Sequence, residues 1–482
     1  MIKSRPAVNN PAGGDLTDAD IRKSTAKLDA LCGADRNSDV IRRGVTVAGR
    51  AFALYFIEGL CKDGAVQHLT DTLYQLDAQT VTEPSDIAQI CRRCVSAAEV
   101  FVISDYGEAV DALLSGMTLL LCDGAEGCVC ADCRGYPHRS ITEPENDKVL
   151  RGPRVGFTET LINNTALIRR HIRDPRLVVE SHRVGRVSHT GVVICYMDGA
   201  ADPDYVEKLR DLIDSADTDS LTMGAQSLAE CLIKKKWYDP FPKIRYTERP
   251  DCAAAHILEG RVAVIVDNCP SVMILPSAIF DFIQETDDYY LPPPFGTYIR
   301  AVRCTVFFLT LFLSPLWYLL ICYPQWIPDR LAFIIPEESG GLPVIVQLFI
   351  LEFAVDGLKL AALNTPSMLS GSFSIIGGLI IGDFAVRVGW FIPDTILYMA
   401  FVAVANFAQP SYELGYAFKF LRLLLLLLTA LFGAWGFCAG VAAFLLLLAT
   451  NKTVGGKSYL YPLIPFDGAA LFRHMIRRRK RK

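Results

Sequence analysis

The sequence predicts a cytosolic α/β region with a duplicated subdomain, followed by an α-helical polytopic transmembrane domain. Three observations lead there. Residues 1–300 mix charged and apolar side chains as a water-exposed fold does, whereas residues 301–450 are close to continuously apolar. Within the first part, one strand–glycine–helix signature occurs twice, in the same order. Within the second part, apolar blocks long enough to cross a bilayer follow one another. Over the whole chain of 482 residues, 51% hydrophobic content, a net charge of −4 and a mean hydropathy of +0.28 average two unlike halves.

The expected divisions are 1–39, a polar segment and a helix; 40–145 and 146–295, two α/β subdomains; 296–466, the membrane domain; and 467–482, a basic tail. Leu16–Gly33 reads as a helix that Thr17 or Asp18 can cap and Gly33 can end. Ala51–Ile57 has strand character, closes on Glu58-Gly59 and leads to a helix from about Ala65. Val192–Met197 repeats it, closing on Asp198-Gly199 before a helix from about Pro203. A second pair matches as L-x-G, six residues, D-G/N: Leu114-Ser115-Gly116 to Asp123-Gly124, and Leu258-Glu259-Gly260 to Asp267-Asn268. A glycine after a strand end suits a turn or a close backbone approach. Thr142–Arg154 reads as a linker, and a helix over Phe157–Ile172 ends in Arg169, Arg170, His171 and Arg173. That basic cluster suits a solvated helix end or contacts between the subdomains, with a lipid-headgroup or partner contact as the lesser alternative.

The apolar blocks are Ala301–Cys322, Pro343–Leu363, Ser372–Val388, Phe391–Ala408 and Phe420–Ala449. The last is too long for one untilted crossing, and Gly433, Gly436 and Gly440 interrupt it, which suits a hairpin or a kinked helix. Ser374, Gly378 and Gly382 form a small-residue stripe for helix packing. The opening residues lack a secretory apolar core, Arg300 and Arg303 flank the first block, and the chain closes on Arg477–Lys482. The positive-inside rule then puts the N-terminal region and the basic tail on the cytosolic side, with an even number of crossings, about six.

The most informative block is Pro343–Leu363. Glu352, Asp356 and Lys359 stand at i, i+4 and i+7, on one face of a helix, with Gln347 a turn before. A charge at mid-bilayer costs at least about 2.5–3.5 kcal/mol, so such a face turns towards a bundle interior or water. These four are the pore-lining candidates; the alternative is a helix whose charges pair with each other or with neighbours, or one lying in the membrane interface. On the first reading Lys359 can pair with Asp356, leaving Glu352 as the freer acid. Cys128, Cys130 and Cys133, with Cys91, Cys94 and His138, have irregular spacing for zinc, and the 15 cysteines read as reduced thiols without a metal. No phosphate loop, zinc-protease motif, nucleophile elbow or dinucleotide fingerprint occurs, so neither catalysis, a cofactor nor nucleic-acid binding is expected.

Several stretches in order carry a resemblance: Arg151–Arg154 with Gly156-Phe157, Asp174–Leu177, Phe241-Pro242, Glu248–Asp251, Leu258–Arg261, Asp287–Tyr290, Pro410–Tyr412 and Tyr459–Pro465. The chain resembles the A-subunit family of spore germination proteins, germinant receptor A subunits included. Val346–Ile350 and Asn364–Ser367 look most like its stage V sporulation protein AF branch. The resemblance implies the spore inner membrane and a homo-oligomer, a ring, around a pore that releases monovalent cations. It also implies a small membrane partner protein and other germination proteins. Organising those proteins without conducting is the alternative function.

Overall fold

The computed structural model describes residues 20–75, 99–136, 155–233, 238–285, 290–337, 340–364, 378 and 385–476. The 142–154 linker, Cys91, Cys94, His138, Ser374, Gly382 and the tail from 477 lie outside the described residues. The chain divides into two units, 1–234 with 244–276, and 235–243 with 277–482.

The first unit contains the duplication. Strands β1 (Val40–Val47), β2 (Arg50–Ile57), β3 (Val100–Ile103), β4 (Thr118–Cys122) and β5 (Cys128–Ala131) form an antiparallel sheet in the order β1-β2-β4-β5-β3. Strands β6 (Leu177–Val184), β7 (Thr190–Met197), β8 (Arg245–Thr247), β9 (Val262–Val266) and β10 (Val272–Leu275) form a second, in the order β6-β7-β9-β10-β8. The two orders are the same permutation. Helices correspond as well. Helix α1 (Ile21–Cys32) buries Leu28 against the first sheet as α4 (Leu161–His171) buries Ile168 against the second. Helix α2 (Asp63–Tyr74) buries Val66, Leu69 and Leu73, and α5 (Pro203–Asp214) buries Val206, Leu209 and Ile213 at the same spacing. Helix α3 (Tyr106–Leu114) and α7 (Pro250–Leu258) close the set, with α6 (Ala225–Leu232) added in the second copy. The first copy therefore begins at α1, earlier than residue 40.

The paired glycines explain why the signature was readable. Gly59 and Gly199 have φ of 80° and 79°, and Gly116 and Gly260 have 89° and 87°, conformations that suit glycine. A Cβ on Gly116 would press on Leu60, the residue after Gly59. A Cβ on Gly260 would collide with the Ala200 carbonyl, the residue after Gly199. In each copy one glycine turn lies against the other.

The copies are locked by Arg169, which has no exposed surface. Its guanidinium donates to both oxygens of the buried Asp39, from Nε at 2.8 Å and from the second arm at 3.0 Å, and to the Leu177 carbonyl at 3.2 Å. Arg170 stacks over Tyr136, 4.7 Å from the ring centroid. Two members of the basic cluster thus make contacts between subdomains. Cys128 and Cys130 face the α1–α3 side of the first sheet. Burial pushes the Cys128 thiol up to about 12, which keeps it protonated rather than thiolate.

The second unit is helical: α8 (Pro293–Cys322), α9 (Val344–Asn364), α10 (Pro393–Phe407), α11 (Tyr412–Thr450) and α12 (Gly468–Met475). Among the described residues, α8 and α11 are long and apolar enough to cross a membrane by length and composition, and α10 is shorter and apolar. The segment 238–243 also belongs here, with Phe241 between Phe418, Phe444 and Tyr459 and Asp239 accepting from Asn451 Nδ2 at 3.0 Å.

Helix α11 is a hairpin. Gly433 leaves helical geometry at φ 59°, ψ −137°, a region essentially confined to glycine. Beyond it the chain folds back: Gly436 lies on the Leu428 carbonyl, a Cβ on Gly440 would stand 2.5 Å from Leu425, and the Phe418 and Phe444 rings are 6.3 Å apart. At 1.5 Å per residue the two arms reach about 30 Å and about 25 Å. Tyr323, just past the end of α8, packs on Gly433, whereas Phe307, midway along α8, packs on Phe418. The first arm therefore runs with α8 and the second returns. Gly433→Val is expected to lower thermal stability in detergent by at least the 1–3 kcal/mol typical of backbone strain, roughly, plus the clash with Tyr323. An unchanged melting curve would mean the chain does not turn there.

Candidate functional site: a buried charge cluster in the helical unit

Helix α9 splits into two faces. Val346, Ile350, Phe353, Gly357 and Leu360 are exposed, whereas Gln347, Leu348, Leu351 and Glu352 are buried. The outward face is apolar, and Gln347 and Glu352 turn inward with Leu348 and Leu351, as expected for a helix surrounded by hydrocarbon.

Glu352 is 2% exposed. Arg422, on the first arm of α11, grips it with two parallel bonds, Nε to Oε1 at 2.7 Å and the second arm to Oε2 at 2.8 Å. This fork is the strongest geometry available to a carboxylate. The third nitrogen of Arg422 donates to the Thr310 carbonyl of α8, so one guanidinium joins three helices. Thr310 is in the turn where Pro315 removes the amide that would bond the Leu311 carbonyl. Lys419, one turn before Arg422, reaches both acids: its Nζ is 3.2 Å from Glu352 Oε2 and 2.5 Å from Asp356 Oδ2. Asp356 is less enclosed, with 31% of its side chain exposed. Two acids and two bases make a cluster with no net charge.

The expectation for Lys359 is corrected. Asp356 pairs with Lys419, and Lys359 lies over Phe407, 4.3 Å from the ring centroid, and over Tyr416 at 5.6 Å. Glu352 is the most tightly held acid, not the freer one. An i, i+3 partner on the same helix lost to a neighbouring helix that supplies both a lysine and an arginine. Gln347 is also fully engaged: its Oε1 accepts from the Ile392 amide at 3.0 Å and its Nε2 donates to the Leu342 carbonyl at 2.7 Å. It ties the start of α9 to the start of α10. Of the small-residue stripe only Gly378 is described, in a helical residue.

Lys419 and Arg422 were not among the sequence candidates. A signal existed: they stand at i, i+3 at the edge of an apolar block, matching the two acids at i, i+4 on α9.

A duplicated α/β unit joined to an apolar helical bundle with a buried, neutral charge cluster defines a class of membrane protein. The profile described as Bacillus/Clostridium GerA spore germination protein matches residues 27–482, and the chain belongs to that family. Stage V sporulation protein AF of Bacillus subtilis (strain 168) is 38% identical over 93% of this chain and 90% of its own length. Spore germination protein KA of the same organism is 30% identical over 98% of this chain and 86% of its own. A crystal structure of the N-terminal domain of the A subunit of the Bacillus megaterium spore germinant receptor GerK3 aligns with 26% identity and a TM-score of 0.43. It covers 55% of this chain and 98% of that domain.

Proposed function

We propose that the chain is the membrane subunit of a spore germination complex that assembles as a homo-oligomeric ring and passes monovalent cations across the spore inner membrane. A small membrane partner and other germination proteins complete the complex. The observation that carries the conducting reading is the charge cluster. Four ionised side chains inside an apolar bundle cost several kcal/mol each to desolvate, roughly, and residues that expensive usually mark an ion pathway. The hairpin supports an even number of crossings, because its second arm runs antiparallel to α8 and heads back towards the side from which α8 starts; the N-terminal region and the tail then share the cytosolic side.

A second reading is a non-conducting scaffold. It is favoured by Arg422 and Lys419, which already neutralise Glu352 and Asp356 as a structural lock would. Purified protein reconstituted in liposomes with its co-expressed partner separates the two. Rubidium uptake that scales with the number of rings supports conduction. Rings that assemble and pass no cation support the scaffold.

A further inference from the structure

Lys419 is held differently from a surface ion-pair lysine. Its Nζ is surrounded by three oxygens: Asp356 Oδ2 at 2.5 Å, Glu352 Oε2 at 3.2 Å and the Glu352 backbone carbonyl at 3.2 Å. The other Asp356 oxygen, Oδ1, is buried and has no hydrogen-bond partner among the described residues. Two carboxylates and a main-chain carbonyl converging on one point are the donor set of a hard-cation site.

The charges divide cleanly. Arg422 bonds both oxygens of Glu352, so that pair is neutral on its own. Asp356 and Lys419 form the second pair. With the ammonium withdrawn, Asp356 loses its ion-pair partner beside a space the size of an ammonium head, while Lys359, one turn further along α9 over Phe407 and Tyr416, stays as a further cation in the field of both acids. Ammonium and potassium ions have closely similar radii, and a divalent ion would leave excess positive charge next to Arg422. The fourth oxygen, Asp356 Oδ1, lies on the same carboxylate and can complete the shell of an ion better than it can serve a lysine.

We propose that this point is a monovalent-cation site occupied by the protein's own ammonium, with Lys419 as a tethered substitute for the ion. A potassium-sized cation takes the position when the Lys419 side chain leaves it. The inference deepens the conducting reading, but equilibrium binding tests it without any flux.

The test uses the full chain in detergent, with radioactive rubidium as the probe and choline as the inert salt. Lys419→Met keeps the apolar stem and ends one atom short of the ammonium position, and Lys419→Ala vacates the space. Both are expected to bind about one rubidium per chain, displaced by potassium, where the wild type binds at least tenfold less. Adding Asp356→Asn should abolish the gain. Both single variants should also melt higher in potassium than in choline, while the wild type melts alike in the two. Variants that fold in potassium but not in choline would equally support the site. Binding no greater than wild type, equal binding with Asp356→Asn, or variants that fail to fold in either salt would overturn it.

Discussion

Arg422→Ala is expected to be among the most damaging single substitutions in the helical unit. It leaves Glu352, 2% exposed, without its two-armed partner and removes the bond to the Thr310 carbonyl. Breaking a buried ion pair by deleting one member typically costs about 3–5 kcal/mol, because the remaining charge stays desolvated. Lys419 offsets only part of this, since it is shared with Asp356. Arg422→Lys should give an intermediate loss, retaining the charge and not the fork. The pair Glu352→Gln with Arg422→Gln should recover most of the stability, because two amides need no charge balance. Thermal unfolding in detergent reads all three. A single Arg422→Ala variant as stable as wild type would mean that the guanidinium does not hold Glu352.

Arg169→Ala should have a comparable effect in the duplicated unit. Asp39 would remain buried without a cation, and the Leu177 carbonyl would lose a donor. The expected loss is again about 3–5 kcal/mol. It should appear as separated unfolding of the two copies, since Arg169 belongs to the second and Asp39 to the first. A single transition at the wild-type temperature would show that the other contacts between the copies, among them the bonds of Asn37 and Ser38 to Val179, hold them without Arg169.

The duplication was legible because its marks are local. Glycines at φ near 80–90° recur at fixed distances from strand ends, and α2 and α5 repeat one apolar spacing. The strands β1 and β6 were harder to see. Their exposed positions hold Arg42, Arg43 and Arg183 among apolar residues, and each is an edge strand of its sheet, with one side unpaired within it. Strand β8, with three residues, has no periodicity to read. The expected start of α1 was early: Asp20 caps it, accepting from Arg22, rather than Thr17 or Asp18. The 146–295 division also missed that 238–243 packs within the helical unit, since a short segment's composition does not say which core takes Phe241.

At the charge cluster, the face made by Glu352 and Asp356 could be read from helical spacing. Which helix opposes it could not. Lys419 and Arg422 come from a block far along the chain, and periodicity reports a face, not its neighbour. The hairpin is an intermediate case. Its three glycines suggested an interruption, and only the backbone at Gly433 distinguishes a reversal from a kink.

The central claim is that the α9 cluster governs cation passage, and Asp356 is the place to test it. Its side chain is partly exposed and is not gripped by Arg422, and Lys419 keeps the Glu352 carboxylate and carbonyl as acceptors, so Asp356→Asn alters charge at a smaller cost to folding than a change at Glu352. The measurement is rubidium against chloride flux into liposomes containing equal amounts of reconstituted wild type or Asp356→Asn. The account predicts that Asp356→Asn lowers rubidium flux and its preference over chloride severalfold. Equal flux and equal selectivity in conducting preparations would contradict it.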